Sequence, residues 1–300
     1  MYRVKVPATS ANLGPGFDSL GMAFNLYNEY EFSFQEEGVI FEGIAEEFKN
    51  KDNVILLSME KVFKKYNFTY KGLGIKIIEQ EVPVSRGLGS SSSCIVAGLI
   101  GAFLLMGKKV DKNEIFNLAV EIEGHPDNVC PAVFGGLVVS VMENNKAFYN
   151  TVDIKEGVDF VALIPRFKLS TKEARSVLPD KLTYKDSVYN IGRAAMLISC
   201  FANGRYDLLT IATKDKLHES YRSNLINGYD AIKEKAFELE AIGCFLSGAG
   251  PTIMSIIKDD NFTFIDKISN YIEVNNLQWD VVRLVIDNQG ANFYKVVKGE

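Results

Sequence analysis

Pro83-Val84-Ser85-Arg86-Gly87-Leu88-Gly89-Ser90-Ser91-Ser92-Ser93 joins two segments of opposite character. Residues 74–79 read as a strand leading into Val82-Pro83, and residues 90–106 form a small, apolar run that reads as a buried helix. Two glycines let the backbone turn and approach a ligand closely. Four hydroxyl side chains follow at once. The first turn of the helix then offers unpaired N–H groups and the positive end of the helix dipole, which together make a phosphate cradle. A P-loop would need Lys after its last glycine, and Gly89 is followed by Ser90. The dinucleotide fingerprint would need Gly or Ala where Ser92 stands. A plain Ser/Gly linker would not be framed by a strand and a strongly apolar helix.

On the N-terminal side, residues 2–6 alternate as a strand ended by Pro7, and a turn-rich loop runs from Pro7 to Asp18. Residues 30–34 and 39–41 read as short strands. Residues 53–66 have helical spacing, with Asp52 or Asn53 as the N-cap. Beyond the glycine loop come a helix over 112–123 capped by Asp111 and a strand over 135–142. The polar stretch 144–156 is the boundary candidate, dividing the chain into residues 1–152 and 153–300. After it the pattern gives a strand at 160–164, helices at 188–201 and 229–242, and strands at 243–246 and 252–257. A helix at 264–274, a strand at 279–285 and a short tail complete it. This order is α+β, suited to antiparallel sheets with helices on one face.

Three other groups carry chemistry. Gly124-His125-Pro126-Asp127-Asn128, preceded by Glu121 and Glu123, gathers acid, imidazole and amide at a helix end, where they could hold a metal and orient a hydroxyl. Leu246-Ser247-Gly248-Ala249-Gly250-Pro251-Thr252 is a glycine turn between apolar strands. Arg175 and Arg222 suit carboxylate recognition, although either alone reads as a solvated charge.

Composition narrows the field. The 300 residues are 47% apolar and 24% charged, with a formal net charge of -5, which argues against nucleic acid or an acidic membrane as main partner. Cys94, Cys130, Cys200 and Cys244 form no CxxC pair, and with only two histidines a structural zinc site is not expected. Scattered thiols of this kind suit a reducing, cytoplasmic setting. The first residues, MYRVKVPATS, contain no apolar signal region, and the longest apolar run, 94–106, has 13 residues where a membrane span needs about 20.

The three glycine motifs, in this order, resemble those of the GHMP kinases. Pro7-Ala8-Thr9-Ser10-Ala11-Asn12-Leu13-Gly14-Pro15-Gly16-Phe17-Asp18, Gly124 to Val129 and the segment 171–175 are similar to homoserine kinases in particular. The resemblance spans about 4–252. It implies a two-domain GHMP kinase fold: an N-terminal nucleotide-binding domain like the second domain of ribosomal protein S5, and a ferredoxin-like C-terminal domain, with the active site between them. It implies ATP, Mg2+ and L-homoserine as ligands, with O-phospho-L-homoserine, a step toward threonine, as product. It leaves a homodimer open.

Carried over residue by residue, Pro83, Val84, Ser85, Arg86, Gly87, Leu88, Gly89, Ser90, Ser91, Ser92 and Ser93 wrap the nucleotide phosphates. Ser90 and Glu123 match the metal-contacting pair, with Glu121 as an alternative because the loop before His125 is short. Asn12, Asp18, His125, Asn128, Arg175 and Arg222 fall where the family binds the amino acid. Asn128 is the residue placed on the reacting hydroxyl, with Asp127 as the second candidate. The rivals are a mevalonate- or sugar-type kinase, whose substrate would leave Asp18 without a partner, and a non-catalytic nucleotide-binding regulator, which would damage the glycine loop or the metal carboxylate.

Overall fold

A computed structural model describes residues 1–296; residues 297–300, the end of the expected tail, lie outside the described residues. The first half runs β1 (Tyr2–Ala11), β2 (Leu20–Gln35), β3 (Gly38–Glu42), α1 (Val54–Lys65), β4 (Gly72–Gln80), α2 (Ser90–Leu105), α3 (Lys112–Glu123), α4 (Val129–Phe134), β5 (Leu137–Glu143) and β6 (Lys146–Val152). There follow β7 (Val158–Pro165), α5 (Thr171–Ser176), α6 (Tyr184–Asn203), α7 (Leu209–Ala212) and α8 (Glu219–Arg222). The described residues end with α9 (Tyr229–Glu238), β8 (Gly243–Leu246), β9 (Ile253–Lys258), α10 (Phe264–Val274), β10 (Trp279–Leu284) and β11 (Asn292–Lys295).

The strands form two sheets. A seven-stranded sheet has the order β11-β1-β2-β4-β3, with β5 on the other end of β2 and β6 beside it; a four-stranded sheet has the order β10-β7-β9-β8. Among the described residues all strand pairs are antiparallel except β3 with β4. The long β2 serves two neighbours, pairing with β4 from Asn28 to Gln35 and with β5 from Leu20 to Met22.

Helices α1 to α4 close one face of the larger sheet. Val4, Val6, Tyr30, Phe32 and Ile75 from its strands pack there against Ile55, Met59, Val96, Leu99 and Phe116. Asn53 caps α1 through its side-chain oxygen, which accepts from the N–H groups of Ile55 and Leu56, and Asp111 caps α3 in the same way. In the smaller sheet the two-residue period of a strand separates two cores. Phe160 and Ala162 of β7 face one way, toward Leu197 and Phe201 of α6 and toward Ala8, Met22 and Phe24 of the larger sheet. Val161 and Leu163 face the other way, onto Ile232 of α9 and Ile268 of α10. The smaller sheet is thus covered on both faces rather than one.

Two local expectations change. β1 does not stop at Pro7 but continues to Ala11, with a register shift between Pro7 and Ala8. A bulge beyond the reach of β11, which pairs only with Tyr2 to Lys5, is a place where a residue without an N–H is tolerated. The polar stretch after Asn144 contains a strand, β6, hydrogen-bonded to β5 along its whole length.

Candidate active site

The glycine loop lies where the two sheets meet. Its anchors Val82 and Leu88 are fully buried. Ser85, Gly87 and Gly89 all have positive φ, at 57, 79 and 74°. The outer edge of β1 beyond Lys5 is taken by this loop, since the Thr9 N–H donates to the Leu88 carbonyl at 3.1 Å. The second half of the chain holds the loop from the other side. Ser247 Oγ donates to the Gly87 carbonyl at 2.6 Å, and the N–H of Leu169 donates to the Ser85 carbonyl at 3.1 Å. A β-carbon at Gly87 would meet the Ser247 and Gly250 carbonyls, and one at Gly89 would strike Thr9 Oγ1. The glycines are therefore required by the packing of the protein on itself, as well as by any phosphate.

Gly89 is the N-cap of α2 and brings no capping side chain, so the first turn of the helix keeps its N–H groups for a ligand. These residues open onto a cavity of about 640 Å³. Gly87, Ser90, Ser91 and Glu123 line it, and Ile44, Phe48, Val54 and Ile77 add apolar wall.

Glu123 ends α3, and Gly124 in a left-handed conformation turns the chain behind it. The carboxylate accepts from Ser91 Oγ at 3.2 Å and Ser92 Oγ at 3.4 Å. Burial pushes the Glu123 carboxyl up, against the opposing pull of His125. Ser90 lines the same cavity. Successive helical residues project about 100° apart, and the arc through Ser91 and Ser92 is the one that meets Glu123. Glu121 points elsewhere: it is exposed and paired with Lys61 at 2.9 Å.

The remaining expected residues converge beside the loop. His125 Nδ1 lies 2.8 Å from Asp127 Oδ1. Burial draws the His125 pKa down, but the bond and charge of Asp127 outweigh it and hold it above the ordinary value. Donor atoms of Asp18, His125 and Asp127 all lie within 4.8 Å of one another. Asp18 receives Arg175 in a two-pronged ion pair, 2.6 and 3.2 Å long. Its own N–H donates to Asn12 Oδ1 at 3.0 Å, while Asn12 Nδ2 donates to the Gly248 carbonyl at 2.8 Å. Asn12 and Asp18 hold this loop with φ of 67 and 54°, a conformation that Asn and Asp tolerate better than most residues.

Arg222 is fully buried and donates to the carbonyls of Ala174 at 3.1 Å and Gly248 at 3.0 Å. Burial, helped by the charge of Arg175, lowers its pKa to about 10. Both guanidinium groups lie against the ring of Phe17, at 5.4 Å for Arg175 and 5.2 Å for Arg222. His218 stacks on the same ring and donates through Nε2 to the Gly14 carbonyl at 2.9 Å.

The fold thus brings Asn12, Asp18, His125, Asp127, Asn128, Arg175 and Arg222 together beside the glycine loop and leaves Glu121 outside. Sequence reasoning passed over Phe17, His218 and Thr9. Thr9 and Phe17 stand inside the quoted N-terminal motif, but nothing in the motif says that one side chain meets Asn128 and the other two arginines.

The chain matches the GHMP kinases N terminal domain family over residues 53–136 and the GHMP kinases C terminal family over residues 197–272. A homoserine kinase of Clostridium beijerinckii is 50% identical over 298 residues, covering 99% of this chain and 100% of that one. A homoserine kinase of Clostridium botulinum is 53% identical over 295 residues, covering 98% and 99%. Among solved structures, a homoserine kinase from Cytophaga hutchinsonii superposes with a TM-score of 0.85 at 26% identity, covering 97% of this chain and 96% of its own. The mevalonate kinase of Methanococcus jannaschii, at 16% identity and a TM-score of 0.73 over 95% of this chain, shares the fold. A two-domain GHMP kinase fold and half-identical relatives matched from end to end identify the family: this chain belongs to the homoserine kinases of the GHMP superfamily.

Proposed function

We propose that this protein transfers the γ-phosphoryl group of ATP to the side-chain hydroxyl of L-homoserine, giving ADP and O-phospho-L-homoserine. One observation carries the choice of substrate: an acid, Asp18, and two arginines, Arg175 and Arg222, surround Phe17 beside the phosphate loop. A zwitterion bearing a hydroxyl matches that set. Its ammonium group pairs with Asp18 and its carboxylate with the guanidinium groups. Mevalonate has no ammonium group, so its carboxylate would draw Arg175 away from Asp18 with nothing to replace it, a costly state for a half-buried charge.

The nucleotide phosphates lie on the free N–H groups of Ser90 to Ser92, with Arg86 and Ser85 on the loop before them and the base toward the apolar part of the cavity lining. Glu123, crowded by hydroxyls and inclined by burial to hold a proton, fits a divalent cation that would displace that proton. Magnesium suits one carboxylate, a serine hydroxyl and phosphate oxygens, so Glu123 with Ser90 or its neighbour Ser91 would hold it. When bound, the ion neutralises charge on the phosphates.

Phosphoryl transfer needs positioning and charge neutralisation more than a strong base. Asp127 is buried and engaged by His125, which favours Asn128 for holding the hydroxyl. The same reading divides the chain at 152/153, with β11 returned to the first unit, and places the protein in the cytoplasm, in keeping with four unpaired cysteines. Among the described residues no helix is long and apolar enough to cross a membrane.

The test is ADP release with L-homoserine, mevalonate and galactose as acceptors. Homoserine is expected to give a kcat/KM at least about tenfold above the others, the size of one lost charged contact. Comparable turnover of mevalonate or galactose would overturn the reading.

A further inference from the structure

Thr9 lies at the centre of the site without belonging to either ligand set. It is fully buried in β1. Its N–H holds the Leu88 carbonyl at 3.1 Å, and its hydroxyl donates to Asn128 Oδ1 at 2.9 Å. The hydroxyl also sits where a β-carbon of Gly89 would fall. One residue therefore ties the phosphate turn to the amide that would hold the acceptor hydroxyl, across 119 residues of sequence.

The two ends of a carboxamide have nearly the same shape and opposite polarity. Asn128 is the N-cap of α4, yet its side chain makes no cap bond, so the helix does not fix the orientation of the amide. With Oδ1 bound to the Thr9 hydroxyl, Nδ2 is turned toward the Gly248 side of the cleft, 4.0 Å from where a β-carbon at Gly248 would stand. That end presents a donor to a region of developing negative charge. The reverse orientation would set Oδ1 against hydroxyl and phosphate oxygens. A donor held in place before reaction acts without reorganisation.

We infer that Thr9 is a positioning residue for phosphoryl transfer: its hydroxyl fixes the carboxamide of Asn128 so that Nδ2 faces the reacting oxygens. The inference rests on the assignment of Asn128 to the acceptor hydroxyl. Its effect belongs to kcat, because the ATP phosphates and the charged ends of homoserine are held by other residues.

Thr9→Val, Thr9→Ser, Asn128→Ala and the double variant Thr9→Val/Asn128→Ala would be compared by steady-state kinetics with each substrate varied. ADP binding and thermal melting would confirm that each variant is folded. Thr9→Val removes one buried hydrogen bond at nearly constant shape and is expected to lower kcat roughly 5- to 20-fold, with both KM values within about twofold. Thr9→Ser should recover most of the loss, and Thr9→Val should add little once Asn128 is alanine. Unchanged kcat in Thr9→Val beside an impaired Asn128→Ala would overturn the role of Thr9, as would losses that multiply in the double variant. Full activity in Asn128→Ala would instead remove the assignment beneath it. If Thr9→Val fails to fold, Thr9→Cys, with a weak donor of similar size, should show the same fall in kcat, and parent-like turnover in it would sink the proposal.

Discussion

At the scale of single residues, the proposed amino-acid subsite contains its own ion pair. Asp18 and Arg175 are each about one-third exposed and bound to one another, so a ligand must offer both charges to take over both partners. Arg175→Leu is expected to raise the KM for homoserine at least about tenfold, the effect of one charged hydrogen bond, with that for ATP nearly unchanged. Steady-state kinetics with each substrate in turn checks this, and an equal loss for both would point to misfolding. Arg222, offered by sequence as an equivalent of Arg175, is a poorer probe, because its carbonyl bonds to Ala174 and Gly248 tie α8 to the site. Its neighbour His218 gives a prediction in pH. Burial, and the nearby charge of Arg222, depress the His218 pKa below the ordinary 6.5, against the opposing pull of Asp215 and Glu219. The neutral ring donates to Gly14 and lies 3.3 Å from Arg222 through Nδ1. The unfolded chain therefore takes up a proton more readily than the folded one. The stabilisation is complete above about pH 6.5 and is lost as pH falls below it, by at most about 1.4 kcal/mol per unit. Urea midpoints at pH 7.5 and 5 should differ more in the parent than in His218→Gln, and equal differences would refute the assignment. The residue types of this site were legible in the sequence because the chemistry demands acids, arginines and glycines at motif positions. The partners of those residues were not, because Asp18 and Arg175 are 157 residues apart and spacing carries no information about such a meeting.

Among the elements, α2 is the one on which the site depends, and its small residues have an energetic reason. A β-carbon at Gly98 would lie 2.5 Å from the Ile55 carbonyl of α1, and one at Gly101 would lie 2.6 Å from the ring of Phe32 in β2. Gly98→Ala should lower stability by about 1–3 kcal/mol through overpacking, even though alanine is the better helix former. Gly192 in α6 is the control: a β-carbon there meets nothing within 4 Å, so Gly192→Ala should raise stability by about 0.5–1 kcal/mol. Urea unfolding of the pair checks the sign, and the same direction for both would contradict this packing. The helices α2 and α3 stood out in the sequence because apolar runs and caps are local signals. β2 did not, because one half of this strand pairs with β4 and the other with β5, and its sequence alternates only where one face is buried. Pro7 misled in the same way: β1 runs on through it, and the register shift beside it passes over Asn25 and Leu26 of β2.

In the molecule as a whole, the core built from Ala8, Met22 and Phe24 on one side and Phe160, Phe201 and Met254 on the other spans both sheets. The site therefore sits on a seam that both halves of the chain must build. The last strand strengthens the arrangement: β11 pairs with Tyr2 to Lys5 of β1, and the Val296 N–H donates to the Met1 carbonyl. A chain stopped after Ala291 should melt at least about 5 °C lower than the parent, the shift expected from losing one or two kcal/mol in a protein of this size. A scanning calorimeter would register the change, and an unaltered melting temperature would mean that β11 is dispensable. This pairing also imposes an order of events during synthesis. The ribosome releases β1 long before β11, so at roughly 5–20 residues per second the earlier strand waits on the order of 15–60 s for its outer neighbour. Throughout that interval the backbone of Tyr2 to Lys5 is an open template for foreign strands. A chaperone that covered this edge during synthesis would keep foreign strands off it until β11 arrives.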